Sequence, residues 1–255
     1  MTLEFPELLR LIDERSAEFR RTVASAPSLE VPVPTCPGWT LFDLAQHVGL
    51  GRRKAAAIVA AGPADAPPDP SAWDDGAGAP REREALLAWL SESIDRLAST
   101  LREAGPDRGC WTWWGDSQSP QTAGGVARHQ VQEVAVHTYD AQLTVGAPRP
   151  LPDEVALDGV EEFLSTCCST DVPWPHEPAD VDYHATEGRS WRLRLSGDGA
   201  RVDRLVSPAA GADAAVWGSA HDLVLLLYGR MSLDAAKLEG DRRILERLIA
   251  WDPSA

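Results

Sequence analysis

Lysine is nearly missing from this 255-residue sequence: Lys54 and Lys237 are the only two, and arginine supplies the remaining basic side chains. With abundant alanine and proline, that bias points to a GC-rich genome. Basic residues as a class are outnumbered, 24 against 39 acids, for a formal net charge of -15. So acidic a surface repels phosphate backbones and excludes nucleic acid as an expected partner. No apolar run is long enough to read as a membrane span. The opening MTLEFPELLRLIDERSAEF mixes acids and arginines and sets no basic region before an apolar stretch. No secretory signal is therefore expected, and the cytoplasm is the expected compartment. Cysteine is scarce: Cys36, Cys110, Cys167 and Cys168 form no C-x-x-C pair. Free thiols in a reducing compartment follow.

What is present is an ordinary globular composition, 44% hydrophobic and 25% charged, enough for one large domain or two smaller ones. Residues 4–25 carry Leu8, Leu9, Leu11, Ile12, Phe19 and Val23 near helical spacing. VPVPTCPGW breaks that helix. Thr40 is a good N-cap for a second helix, LFDLAQHVGLGRRKAAAIVAA, with Asp43 adding negative charge to its first turn. Residues 62–80, rich in Pro, Gly, Ala and Asp, read as a surface loop. A third helix is predicted over 81–104, and a fourth over 121–145 after the turn CWTWWGD, ending at Gly146. Four long helices suggest a bundle over residues 1–150, with GAPRPLP at 146–152 as the linker. Beyond it, a helix over 153–166 precedes the short alternating segments DVDYHAT, SWRLRL, RVDRLV and AAVWGS, then helices near 219–229 and 240–251. Residues 151–255 read as a small α+β domain, so the fold class is α+β.

Glu133 and His137 lie four residues apart on the fourth helix, so both project from one face. His47 sits on the second helix and turns inward if Leu44 and Val48 do. Ligands from facing helices can meet in a bundle core, and two imidazoles with one carboxylate make a zinc set that leaves a position open. Taken alone, a Glu-x-x-x-His pair is more often an exposed charge pair. His129, one turn before Glu133, can also replace either histidine on spacing alone.

Three segments carry a resemblance. TCPGWTLFDLAQHVG, EVAVHTYDAQLTVG and GSAHDLVLLLYGR followed by EGD occur in the order seen in the mycothiol-dependent maleylpyruvate isomerase family. The resemblance implies a DinB-like metal-binding N-terminal four-helix bundle and a sterol-carrier-like α/β C-terminal domain. It implies His47, Glu133 and His137 as ligands of zinc or another divalent metal. It disfavours His129, because the distance to Asp140 sets the register of the motif. Asp140 is implied as a supporting residue, pairing with an arginine such as Arg128 or holding a ligand helix in place. Arg230 matches an arginine that the family brings to the active site, suited to a substrate carboxylate. The implied cosubstrate is mycothiol, a low-molecular-weight thiol of actinobacteria. Its thiol would become a metal-bound thiolate and add to a small electrophilic substrate, giving cis–trans isomerisation or S-transfer. Two other classes stay open: a zinc hydrolase or lyase, for which Asp140 and Asp43 are the available bases, and a non-catalytic small-molecule or metal-binding module. A monomer and a homodimer are both compatible with the sequence.

The other candidates read as structural. Cys36 lies near the N-terminus of the second helix, where a thiolate would be favoured, yet it fits a turn role. Cys167 and Cys168 end a helix. Trp111, Trp113 and Trp114 line a pocket mouth or pack the bundle end. His184 and His221 are structural or exposed, and Asp198 belongs to a turn.

Overall fold

A computed structural model describes residues 3–74, 76–206 and 211–252. The chain divides into two compact units, Met1–Gly115 with Pro120–Leu151, and Asp116–Ser119 with Pro152–Ala255. No helix among the described residues is long and apolar enough to cross a membrane.

The first unit holds α1 (Phe5–Ser25), α2 (Leu41–Ala61), α3 (Arg83–Ala104) and α4 (Ala123–Thr144). Each start has a local cause. Pro6 occupies the first turn of α1, where its missing N–H costs nothing. Thr40 and Asp43 form a capping box on α2, each side chain accepting from the other's backbone N–H. Glu82 caps α3, two residues later than the predicted start, and the Thr122 hydroxyl accepts from Gly125 N to start α4. Gly146, at φ +73°, follows the end of α4 in the left-handed conformation that stops a helix cheaply. The predicted loop at 62–80 contains one 3₁₀ turn, Pro70–Ala72; Asp75 within it lies outside the described residues.

Phe19, Val23, Leu41, Leu44, Val48, Leu86, Leu90 and Val134 are buried in one core cluster. Each such large side chain contributes about 1.5–3 kcal/mol on leaving water. α4 is rich in Ala, Val and Gly and is buried along most of its length. Polar side chains on it are therefore carried inside.

The second unit opens with α5 (Asp153–Phe163), which runs on as a π-helical turn, Leu164–Cys168. Strands β1 (Ala179–Ala185), β2 (Ser190–Ser196), β3 (Gly199–Leu205) and β4 (Ala214–Gly218) correspond to the four predicted segments. A fifth, β5 (Lys237–Gly240), is unexpected: it is short and exposed, with no apolar alternation. Sheet order is β3-β2-β1-β4-β5, antiparallel except where β4 runs parallel to β1. α6 (Ala220–Leu227) and α7 (Arg242–Ala250) complete the unit. Along β2, Trp191, Leu193 and Leu195 are buried while Arg192 and Arg194 alternate with them. Arg192 grips the fully buried Asp182 directly opposite on β1, at 2.7 and 2.8 Å.

Candidate metal centre

The segment before α2 folds into a tight knot. Val33 N donates to Trp39 O at 2.9 Å, and Trp39 N donates to Cys36 O at 3.0 Å. Gly38 takes φ +84°, which a side chain would strain. The knot delivers Trp39 against His47, with ring centroids 4.9 Å apart.

From α2, His47 meets Glu133 and His137 of α4. His47 Nε2 and His137 Nε2 lie 3.8 and 3.7 Å from the same oxygen, Glu133 Oε2. One ligand atom from each of the three residues falls within 4.8 Å of the others. The two imidazoles stand edge to face at 5.0 Å. Two ligand atoms on a tetrahedral zinc, each about 2.0–2.1 Å from it, are roughly 3.4 Å apart. The observed separations are a few tenths wider and exceed hydrogen-bonding distance. The side chains thus keep an ion-sized gap and do not collapse onto one another, and the donor set fits a divalent ion.

His137 is aimed by its other nitrogen. Nδ1 lies 2.9 Å from Asp140 Oδ2, and Asp140 is completely buried. A carboxylate there takes the proton on Nδ1, which leaves the Nε2 lone pair facing the gap. Asp140 is itself held by the knot: Thr35 Oγ1 donates to it at 2.6 Å and the Cys36 thiol at 3.6 Å. Cys36, His137 and Asp140 also group closely enough to suggest a second metal set. His137 and Asp140 are in direct hydrogen-bonding contact at 2.9 Å, closer than two ligand atoms on one ion would stand, and the Cys36 thiol lies 3.6 Å from the same carboxylate oxygen. Cys36 acts there as a thiol donor in a turn.

Burial works to raise the Glu133 carboxyl, but His47, His129 and His137 together outweigh it and hold the group down at about 2. It stays an anion across the physiological range. His129 does not join the cluster. Its Nε2 lies 3.7 Å from the other carboxylate oxygen, Glu133 Oε1, and its ring rests against Trp113 and Trp114. Trp114 is buried and Trp113 exposed, so this part of the tryptophan-rich turn packs on His129 with one ring inside and one at the surface.

Arg230 belongs to the second unit, where its Nη1 donates to Tyr228 O at 2.7 Å. His184 is buried, bonded to Ser190 and stacked on Trp217 at 3.9 Å. Asp198 sits in the β2–β3 turn, its N–H donating to Ser196 Oγ. Cys167 and Cys168 are half-buried, and burial pushes the Cys168 thiol up to about 12. Asp43 is committed to its capping box. Sequence reasoning missed Thr35 and Trp39. Thr35 meets Asp140 across 105 residues, a pairing for which the local sequence carries no signal.

The N-terminal domain profile of mycothiol maleylpyruvate isomerase matches residues 9–142, and the C-terminal domain profile of the same enzymes matches residues 154–247. The chain belongs to this family. Two solved structures share its fold: the mycothiol-dependent maleylpyruvate isomerase, with TM-score 0.62, and an alanine mutant of that enzyme, with TM-score 0.64. Each is 16% identical to this sequence, and each comparison covers 94% of this chain and 95% of the other. At that identity the likeness speaks to the fold, a helical N-terminal region followed by a small mixed sheet. A comparison with curated proteins finds no match.

Proposed function

We propose that this chain is a divalent-metal enzyme, with zinc the best-fitting ion, that uses mycothiol to isomerise a small electrophilic substrate. His47, Glu133 and His137 would hold the metal. When bound, the ion would keep the cosubstrate as its thiolate, the nucleophile that adds to a conjugated double bond and leaves once that bond has rotated. The observation that carries the reading is the Asp140–His137 bond beside the three-residue gap. A carboxylate that fixes one imidazole's tautomer while the other nitrogen faces a gap is the arrangement of a supported metal ligand.

The chain's own residues divide the remaining work. Glu133 stays ionised and offsets part of the ion's charge. Asp140 holds His137 in one tautomer, and Trp39 limits the swing of the His47 ring. Arg230 would grip a substrate carboxylate, as the family resemblance implies. S-transfer uses the same first step and differs only in whether the adduct is released. The hydrolase reading is weaker, because it requires a free carboxylate base. Asp140 is already bonded to Thr35, Cys36 and His137, and Asp43 to Thr40.

The test is metal analysis of the purified protein followed by calorimetric titration with mycothiol, before and after chelation. One equivalent of zinc, with thiol binding that disappears on chelation, is the expected result. His47→Ala should lose the metal and keep its circular dichroism spectrum. Thiol binding that survives chelation would refute the reading.

A further inference from the structure

Arg52 is the most anomalous side chain in the first unit. It lies on α2, five residues beyond His47, and is 2% exposed. Its Nε and Nη1 are sealed from solvent and have no hydrogen-bond partner among the described residues. A buried guanidinium without partners is strongly unfavourable, and such groups in folded proteins call for an explanation. The acids that act on it through space are otherwise engaged. Asp13 pairs with Arg102 at 3.1 Å, and Glu133 faces three imidazoles. Burial lowers the Arg52 pKa to about 10, so it remains a cation near neutral pH.

The geometry points to Arg52 as an anion anchor inside the bundle, taking a carboxylate of a small molecule that the first unit binds. Either edge of a guanidinium fork that can hold a carboxylate in two bonds, Nε with Nη2 or Nη1 with Nη2, includes one of the sealed nitrogens. A bound carboxylate would supply the acceptor that the described residues do not. A guanidinium fork also holds phosphate in two bonds, so phosphate is the oxyanion against which the carboxylate is compared. The inference rests on the proposed function for the identity of the site, but not for the existence of the anion subsite.

The experiment titrates the full chain calorimetrically with fumarate, and with inorganic phosphate as control, in zinc-loaded and chelator-treated forms. Arg52→Met keeps the length of the side chain without its charge, and Arg52→Lys keeps the charge without the fork. Loss of charge-assisted bonds predicts fumarate binding at least about tenfold weaker in Arg52→Met. Arg52→Lys should fall between, with metal content unchanged in both and a melting temperature at or above that of the parent. Wild-type fumarate affinity in Arg52→Met overturns the inference, as does absence of fumarate binding to the parent or tighter binding of phosphate. A melting temperature that falls in both variants while fumarate affinity holds makes Arg52 structural and overturns it too. Arg52-dependent fumarate binding in a protein that takes up neither metal nor thiol would support the subsite and sink the proposed function. Metal-dependent thiol binding without that dependence would do the reverse.

Discussion

Replacing Asp140 with asparagine should weaken metal binding without touching any proposed ligand. Asp140 is wholly buried and accepts from Thr35 at 2.6 Å, His137 at 2.9 Å and the Cys36 thiol at 3.6 Å. An asparagine of the same shape keeps one acceptor oxygen and presents an NH₂ in place of the other. If the oxygen stays with Thr35, the NH₂ meets His137 Nδ1. The ring must then accept there and carry its proton on Nε2, the atom that faces the gap. Changes of this kind cost about ten- to a hundredfold in metal affinity, or roughly 1.4–2.7 kcal/mol. Separately, any donor left unpaired in so buried a place costs about 1–3 kcal/mol of stability. Competition against a chromophoric chelator reads the first quantity and urea unfolding of the metal-free protein the second. The nitrogen chemical shifts of His137 report the tautomer directly. Wild-type metal affinity in a folded Asp140→Asn protein would refute the reasoning.

Cys36→Ala should alter metal affinity less than about threefold, because its thiol only supports Asp140 with a weak bond; a loss comparable to that of His47→Ala would move the metal to the Cys36–His137–Asp140 set. Gly49→Ala should destabilise the first unit by about 1–3 kcal/mol, the usual cost of overpacking. A methyl at Gly49 would fall 1.9 Å from Trp89 Cζ3, and that ring is pinned beneath the Arg53 guanidinium at 4.8 Å. An unchanged urea midpoint would count against that packing. Burial lowers the His184 pKa, against a smaller opposing pull from Asp182. The unfolded chain therefore takes up this proton first, at about pH 6.5. Stability should fall as pH drops below that value and level off at the lower folded pKa. His184→Gln should lose this increment of pH dependence between pH 7 and 5; identical pH profiles of stability would contradict it.

Much of the fold was legible because it is written locally. The periodicity of α1, the Thr40–Asp43 cap and the Gly146 stop need no knowledge of the rest of the chain, and each stands where its residues predict it. β5 was not legible, since an exposed strand of four residues, KLEG, lacks the alternation that burial imposes. The spacing of Glu133 and His137 showed that they share a helix face. It did not show which oxygen of Glu133 meets which histidine, nor that His129 faces the other oxygen with its ring against Trp113 and Trp114.

The residues that prepare the site are harder to read than those that compose it, for a physical reason. A ligand must be a histidine or an acid, so its identity advertises it. Asp140 and Arg52 have the same identities as dozens of solvated charges in this acidic, arginine-rich chain. Only burial separates them: 0% exposed for Asp140 and 2% for Arg52. That burial comes from their neighbours. Asp140 is enclosed because α4 is built of small apolar residues and because the knot around Gly38 folds Thr35 and Cys36 onto it. Arg52 is enclosed because α2 places it in line with Ala45, Val48, Ala55, Ala56 and Val59. The two differ in one respect. Asp140 has its donors, and they explain the pose of His137. Arg52 Nε and Nη1 have no acceptor among the described residues, and that is the ground on which an anion is assigned to it.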